Sequence, residues 1–252
     1  MPVAAIQTEL SRIQPLRALF LQEANCQIRH DSLHSRGWSD SFLLTSDGVE
    51  VGYGSTFKYD GPYTGVERDT VFEFYLTPPV RRQASLFFRE LLEVSSARYV
   101  VCQSNVLLLT HLLFEFTRHI SSDTILFGAH SSTKLTFRGG LVRPKREDEQ
   151  VFEHTVEPIG PMVLEAHGEV IATGGALTHY NFPFADIFME VAPGHRRKGA
   201  GSYLVQEVIK ACYRSGRVPA ARTSFDNAGS RATLARAGLA EVGCMLLGEV
   251  KP

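Results

Sequence analysis

The chain has 252 residues, 44% of them hydrophobic, and a formal net charge of −1. This length allows one large domain or two small ones. The balanced charge excludes a whole-protein field for nucleic acid or an anionic membrane, so a basic site must be local. The sequence contains neither a signal-peptide pattern nor an uncharged apolar run of about 18 residues. We therefore expect a cytoplasmic protein with no nucleic-acid or membrane partner.

The first half of the chain alternates predicted helices and strands. Pro15 predicts the start of a helix, and Asp47-Gly48 between two apolar segments is typical of a tight β-hairpin. The predicted elements are a helix at 16–26, strands at 42–46, 49–57 and 70–76, a helix at 84–94, a strand at 99–102 and a helix at 107–116.

The second half predicts the same order of elements. These are a hairpin of strands at 162–168 and 170–177, a strand at 186–191, a helix at 201–213, a strand at 220–223 and a helix at 230–237. Pro193-Gly194 ends the strand, and Gly238 is typical of a residue just beyond a helix C-terminus.

The two halves align as an internal repeat. Aligned positions with the same residue are Leu44 and Leu164, Gly48 and Gly168, Gly54 and Gly174, Pro78 and Pro193, Arg81-Arg82 and Arg196-Arg197, Asn105 and Asn227, and Leu112 and Leu234. The shared order favours two tandem copies of one α/β unit. We place domains at 1–135 and 136–252, with the junction in the polar segment 131–150. Its charge run at 143–149 predicts a solvated linker or a short exposed helix.

A basic, glycine-containing turn lies between the strand at 186–191 and the next helix. Residues 196–201 read RRKGAG. Gly199 and Gly201 lack a Cβ that would obstruct a ligand, and the N–H groups of a helix N-terminus favour an anion. Arg196, Arg197 and Lys198 add positive charge beside them. The pattern predicts a pyrophosphate site.

Three kinds of phosphate-binding turn are candidates for this segment. A Walker A loop requires Gly-Lys-Ser/Thr, which does not occur, and a dinucleotide fingerprint requires a glycine where Leu204 stands. The third kind, R-x-x-G-x-G, fits Arg196–Gly201 and seats the pyrophosphate of coenzyme A. With Val191-x-Pro193 before it and N-x-x-S-x-x-x-L-x-x-x-G-L from Asn227 onward, the sequence over 162–248 resembles the GNAT superfamily of acetyl-CoA-dependent N-acetyltransferases.

The resemblance implies an α/β (α+β) fold of two tandem GNAT-like units. Each would hold a mixed, mostly antiparallel sheet flanked by helices, with a splayed central strand. In the first copy, Ala84 and Leu86 replace the two glycines of the turn. We therefore expect a degenerate N-terminal domain and one acetyl-CoA site, in the C-terminal domain. The nine histidines show no metal-ligand spacing and the four cysteines no C-x-x-C pair, so no metal is expected.

The resemblance also implies roles for individual residues. The strand backbone at Met189, Glu190 and Val191 would pair with the pantetheine arm. The cofactor-binding residues of the turn are Arg196, Arg197, Lys198, Gly199, Ala200, Gly201 and Ser202. Asn227 and Ser230 would contact the cofactor, with an ordinary turn and helix N-cap as the alternative reading.

The catalytic groups follow the family pattern less closely. Leu234 stands where the family often has a tyrosine acid, and Arg222 where some members have a carboxylate. The candidates are Glu190 and Asp186, with Tyr180 and His179 in the preceding loop. A carboxylate in an apolar strand predicts a raised pKa, which suits a general base. The alternative is that Glu190 faces solvent or pairs with an arginine.

The expected function is transfer of an acetyl group from acetyl-CoA to a primary amine of a small molecule or peptide. A coenzyme A-binding pseudoenzyme acting as sensor or scaffold is the main alternative, and a nucleotide-binding module is a third. The sequence leaves the acceptor open, and a homodimer remains an option.

Overall fold

In a computed structural model of the chain, residues 2–24, 26–27, 30–59 and 67–252 are described. They form two compact units. The first comprises the residues up to Asp123 together with Cys244–Pro252, and the second is Thr124–Gly243. The sequence-based boundary between 135 and 136 lies inside the second unit, because the strand at Thr124–Ala129 pairs antiparallel with the strand at Val218–Ser224.

The first unit is built on a mixed sheet with helices. Its elements are β1 (Val3–Thr8), α1 (Leu10–Glu23), α2 (His30–Ser35), β2 (Ser39–Ser46), β3 (Val49–Phe57), β4 (Thr70–Leu76), a 3-10 helix (Pro78–Gln83), α3 (Ala84–Ser95), β5 (Tyr99–Gln103), α4 (Leu107–Phe116) and β6 (Thr117–Ser121). The strand order is β1-β2-β3-β4-β5. Among the described strands of this unit, only β4 and β5 run parallel, and β5 also pairs with residues 245–249 of the last strand.

The second unit repeats this plan. Its elements are β7 (Thr124–Ala129), β8 (Gly140–Pro144), β9 (Met162–Ala166), β10 (Glu169–Leu177), β11 (Phe184–Val191), a 3-10 helix (Pro193–His195), α5 (Ala200–Arg214), β12 (Val218–Ser224), α6 (Ala228–Arg236) and β13 (Leu239–Val250), which continues into the first unit. The strand order is β7-β12-β11-β10-β9-β8, and only β11 and β12 run parallel. The predicted mixed, mostly antiparallel sheets are confirmed.

Corresponding hairpins in the two units turn in the same way. Asp47 and Gly48 have φ of 49° and 80°, and His167 and Gly168 have φ of 53° and 82°. Two successive residues with positive φ form a type I′ turn, which matches the twist of antiparallel strands. The sequence predicted both hairpins, and the repeated turn supports the alignment of the two halves.

Each unit has its own apolar core. In the first, α3 buries Phe87, Phe88 and Leu91. In the second, α5 buries Leu204, Val205 and Val208 among the strands β9 to β12. The spacing of three and four residues places these side chains on one helix face. Among the described residues, no helix has the length and apolar character needed to cross a membrane.

Two sequence predictions about local structure were wrong. Helix α1 begins at Leu10, so Pro15 lies within it instead of at its start. Ile13, Leu16 and Phe20 are buried along one face of the helix. The stabilisation from this burial offsets the loss of the backbone hydrogen bond that proline cannot donate. The segment at 143–149 is also not a free linker. Strand β8 pairs with β9. The Arg143 guanidinium donates hydrogen bonds to the carboxylates of Glu149 and Glu165.

Candidate cofactor cleft and acceptor site

Strands β11 and β12 separate after a short stretch of pairing. Their pairing extends only from Phe184 with Val218 to Asp186 with Ala220. On its other edge, β12 pairs with β7 from Ala220 to Ser224. We call the point of separation at Asp186 the fork. From residue 187 to 191, β11 pairs with β10 on one edge, and no described strand occupies the other. The predicted contacts Met189, Glu190 and Val191 therefore lie on an open strand edge, where backbone amides can bind a ligand.

The glycine turn, residues 196–201, follows this open edge. Arg197 and Gly199 have φ of 60° and 89°, and α5 begins at Ala200. The Tyr203 N–H donates to the Gly199 carbonyl at 3.1 Å, which leaves the preceding N–H groups without a partner in the helix. Gly199 is the N-cap residue of α5, so the helix has no side-chain capping hydrogen bond at this position. The turn thus ends in an uncapped helix N-terminus, which suits a pyrophosphate.

The two glycines of the turn are required for different reasons. At Gly199 an added Cβ would meet nothing within 4 Å, but the positive φ strains other residues. At Gly201 a Cβ would lie 3.1 Å from the Met189 Cε and 3.2 Å from the Thr233 Cγ2. The expectation that both glycines clear space for a ligand is therefore wrong for Gly201, which allows α5 to pack on β11 and α6.

The basic side chains of the turn differ in their surroundings. The Arg196 Nε donates to the Val191 carbonyl at 2.9 Å and joins the turn to the strand end. The Lys198 Nζ donates to the Gly194 carbonyl at 2.9 Å. Arg196, Arg197 and Lys198 are exposed, and Ala200 and Ser202 are buried at the start of α5. The turn therefore offers positive charge at its surface beside a rigid helix end.

Glu190 is held by the segment 154–161, which we call the strap. Its carboxylate accepts hydrogen bonds from the backbone N–H groups of Thr155 (3.2 Å), Val156 (3.1 Å) and Glu157 (3.0 Å), and from the Thr155 hydroxyl (3.0 Å). Burial raises the pKa of Glu190, but the hydrogen bonds outweigh burial and lower the pKa to about 2. The expectation of a raised pKa is therefore wrong. A carboxylate so stabilised is a weak base.

The strap packs closely against two glycines of β10, Gly174 and Gly175. A Cβ at Gly160 would lie 2.2 Å from the Gly174 carbonyl oxygen, and one at Gly175 would lie 2.6 Å from the Pro161 Cδ. The Gly160 N–H donates to the Thr173 Oγ1 at 3.0 Å. Thr173 pairs with Glu190 across β10 and β11, so both side chains fix the strap on the same face.

A second group of predicted residues meets at the fork. Asp186 is buried, and its Oδ2 lies 3.4 Å from both the His179 Nε2 and the Arg222 Nε. Tyr180 is also buried, with its ring against the His179 ring at 5.0 Å between centroids. Asp186, Tyr180 and His179 are thus brought together. Arg222, at the position where some family members have a carboxylate, lies beside Asp186.

The Glu157 carboxyl was missed by sequence reasoning. The residue is half-buried, and burial raises its pKa, as do the nearby carboxylates of Asp186 and Glu190. Arg222 and His154 act in the opposite direction. A lone glutamate in a coil before a proline carries no sequence signal, because only the folded strap places it near β11.

Asn227 and Ser230 occupy the start of α6. The Asn227 Oδ1 accepts a hydrogen bond from the Ser230 N–H at 2.9 Å, so Asn227 is the N-cap of the helix. Leu234, where the family often has tyrosine, is buried in the apolar core. The capping reading is confirmed, and the cofactor contacts of Asn227 and Ser230 remain predictions.

The equivalent turn of the first unit has the same arginine contact as the glycine turn but a different backbone conformation. The Arg81 Nε donates to the Leu76 carbonyl at 2.9 Å, as Arg196 does to Val191. The 3-10 helix Pro78–Gln83 then leads directly into α3, and Ala84 has a helical φ of −55°. The left-handed residues of the glycine turn have no counterpart there.

Comparisons with known proteins agree with this geometry. Residues 131–239 match the model of the acetyltransferase (GNAT) family. No curated protein sequence matches the chain significantly. Similar solved structures include a GNAT-family acetyltransferase from Colwellia psychrerythraea (TM-score 0.70, 13% identity, 100% of both chains). A tandem GNAT protein from the clavulanic acid biosynthesis pathway has a TM-score of 0.61 at 12% identity, over 100% of this chain and 99% of the other. The chain thus has the fold of a tandem GNAT protein.

Proposed function

We propose that this chain, whose residues 131–239 match the acetyltransferase (GNAT) family model, transfers an acetyl group from acetyl-CoA to a primary amine of a small molecule or peptide. The observation that carries the proposal is the combination of the open β11 edge with the uncapped glycine turn. One offers backbone amides to the pantetheine arm, and the other offers N–H groups and positive charge to the pyrophosphate.

The residues present fit this cofactor. An added Cβ at Gly199 would stand in open space, so the turn has room for phosphate oxygens beside Gly199–Ser202. In this arrangement Met189, Glu190 and Val191 align the pantetheine arm between the turn and the fork. Acetyl-CoA supplies the acetyl group as a thioester, and the chain holds it next to the acceptor. Such positioning accounts for a large share of the rate in acyl transfer.

The acceptor side lies at the fork in this proposal. Asp186 and Glu157 give the fork negative charge, which attracts the ammonium form of an amine. His179 lies beside Asp186, and the Tyr180 ring packs against the His179 ring. Glu190 acts by holding the strap, because its carboxylate is occupied by four hydrogen bonds.

We place a single acetyl-CoA site in each chain. The first unit has a helical residue, Ala84, where the second has Gly199 with a φ of 89°. The Ala84 N–H donates to the Arg81 carbonyl of the 3-10 helix, so this turn lacks the left-handed conformation and the free N–H groups of the glycine turn, and we assign it no cofactor.

The test is release of free thiol from acetyl-CoA with a panel of amines: benzylamine, putrescine, an aminoglycoside and an alanine-initiated tetrapeptide. We expect turnover with at least one, and its loss in Gly199→Ala. The matched control is Gly194→Ala, which adds a methyl group in open space without positive φ. Coenzyme A binding without turnover of any amine would argue against the proposal.

A further inference from the structure

The carboxylates of Glu157, Asp186 and Glu190 are near enough to interact electrostatically, and two of them have hydrogen-bond or ion-pair partners. Glu190 is hydrogen-bonded to the strap. Asp186 lies between His179 and Arg222. The Glu157 carboxylate has neither a hydrogen bond nor an ion pair among the described residues, although the residue is half-buried. An ionisable group in this state is costly unless it serves a ligand or a proton transfer.

The backbone around Glu157 is fixed, so its side chain has a defined place. Its N–H donates to the Glu190 Oε2 at 3.0 Å, and its carbonyl contacts the His154 Nδ1 at 3.0 Å. The carboxyl then feels the charges of Asp186 on β11 and Arg222 on β12, which flank the fork. The Glu157 backbone thus lies beside Glu190 of β11, and its carboxyl is near enough to Asp186 and Arg222 to interact with their charges.

We propose that Glu157 is the general base of the acetyl transfer, an assignment that rests on the proposed function. The Glu157 carboxylate takes a proton from the acceptor ammonium, which leaves a neutral amine. The amine nitrogen forms a bond to the acetyl carbon while the carbon–sulfur bond breaks. The sulfur leaves with the electron pair and receives the second proton of the nitrogen. Glu157 then releases its proton to solvent.

The surroundings of Glu157 shift its pKa in the direction that suits a general base. Burial and the carboxylates of Asp186 and Glu190 favour its protonated form, whereas Arg222 and His154 favour the anion. A base with a raised pKa holds a proton more firmly, and catalysis is most efficient when the pKa approaches the working pH.

The test combines kinetics with a direct titration on the full-length chain. With the most active amine of the panel, we expect kcat/KM to fall at low pH as Glu157 is protonated. Glu157→Gln should lower kcat about 100-fold and abolish this limb. Its coenzyme A affinity should stay unchanged, because the turn is intact. Glu153→Gln, at an exposed residue immediately before the strap, is the matched control and should behave as the wild type.

Carboxyl NMR of the coenzyme A-saturated protein gives a readout that needs no turnover. We expect the Glu157 resonance, identified by its absence in Glu157→Gln, to titrate above the ordinary glutamate range. A Glu157 pKa in the ordinary range would overturn the assignment, as would a Glu157→Gln variant with wild-type kcat and pH profile. A wild type that acetylates no amine would instead contradict the proposed function, and the titration would still decide whether Glu157 has the pKa of a base.

Discussion

Thr155 binds the Glu190 carboxylate twice, through its backbone N–H at 3.2 Å and its hydroxyl at 3.0 Å. With the N–H groups of Val156 and Glu157, it surrounds a buried anion with donors. Three successive backbone N–H groups turned toward one carboxylate form a nest. The strap is therefore attached to β11 through a charge that must remain ionised.

Glu190→Gln should weaken this attachment. The amide presents N–H groups to donors, so we expect the free energy of unfolding at pH 7 to fall by about 1–3 kcal/mol. Because the folded-state pKa of Glu190 is lowered from 4.5 to about 2, the wild-type contribution is present above pH 4.5 and is lost as the pH falls toward 2. Urea unfolding across this range should show the two proteins converge in acid. A constant difference at all pH values would contradict the account.

Arg197→Ala should weaken coenzyme A binding about 2- to 5-fold at low salt, since an exposed cation contributes modestly. The difference should shrink as ionic strength rises, because salt screens exposed charges. Titration calorimetry at two salt concentrations measures both effects. The aligned residue in the first unit gives the control, and Arg82→Ala should leave the affinity unchanged. Equal effects of the two substitutions would mean that both turns interact with the phosphates of coenzyme A, which would contradict the prediction.

Gly160→Ala should displace the strap. Its Cβ would lie 2.2 Å from the Gly174 carbonyl oxygen, which is backbone and cannot rotate away. We expect a loss of about 1–3 kcal/mol in unfolding free energy and a lower kcat, because the strap carries Glu157. Gly194→Ala, on an open surface, should change neither quantity. Wild-type stability of Gly160→Ala would show that the strap does not lie on Gly174.

The first unit contains a buried charge cluster that is expected to stabilise it only as a whole. The Arg17 Nε lies 3.1 Å from the Glu73 Oε2, which also contacts the His34 Nε2 and the Tyr53 hydroxyl at 3.0 Å. Arg17→Met removes the guanidinium that pairs with the buried Glu73 carboxylate and should cost about 3–5 kcal/mol. Arg12→Met, which removes an exposed pair with Glu50, should change stability by less than about 0.5 kcal/mol. Chemical denaturation compares the two, and similar losses would contradict the structure.

Elements with strong local patterns were predicted from the sequence alone. Strand β4 and helix α4 have the predicted bounds, and the Asp47-Gly48 turn produces its hairpin. The repeat alignment was also informative, because Arg81 and Arg196 make the same contact with a strand carbonyl five residues earlier. In these places short-range geometry decides the structure.

The environment of the site could not be predicted in the same way. The lowered pKa of Glu190 depends on backbone N–H groups more than 30 positions earlier in the chain, and every residue has such groups whatever its side chain. Strand β13 was missed as well. Its exposed Glu241 and Val242 break a simple alternation, and its pairing with β5 is long-range.

Calorimetric titration of the full-length chain with coenzyme A measures directly whether the glycine turn binds the cofactor. We expect one molecule bound per chain, an affinity at least 10-fold weaker in Gly199→Ala because the left-handed turn is strained, and an unchanged affinity in Gly194→Ala. Two molecules per chain, or tight binding that survives Gly199→Ala, would contradict the assignment of the cofactor to the glycine turn.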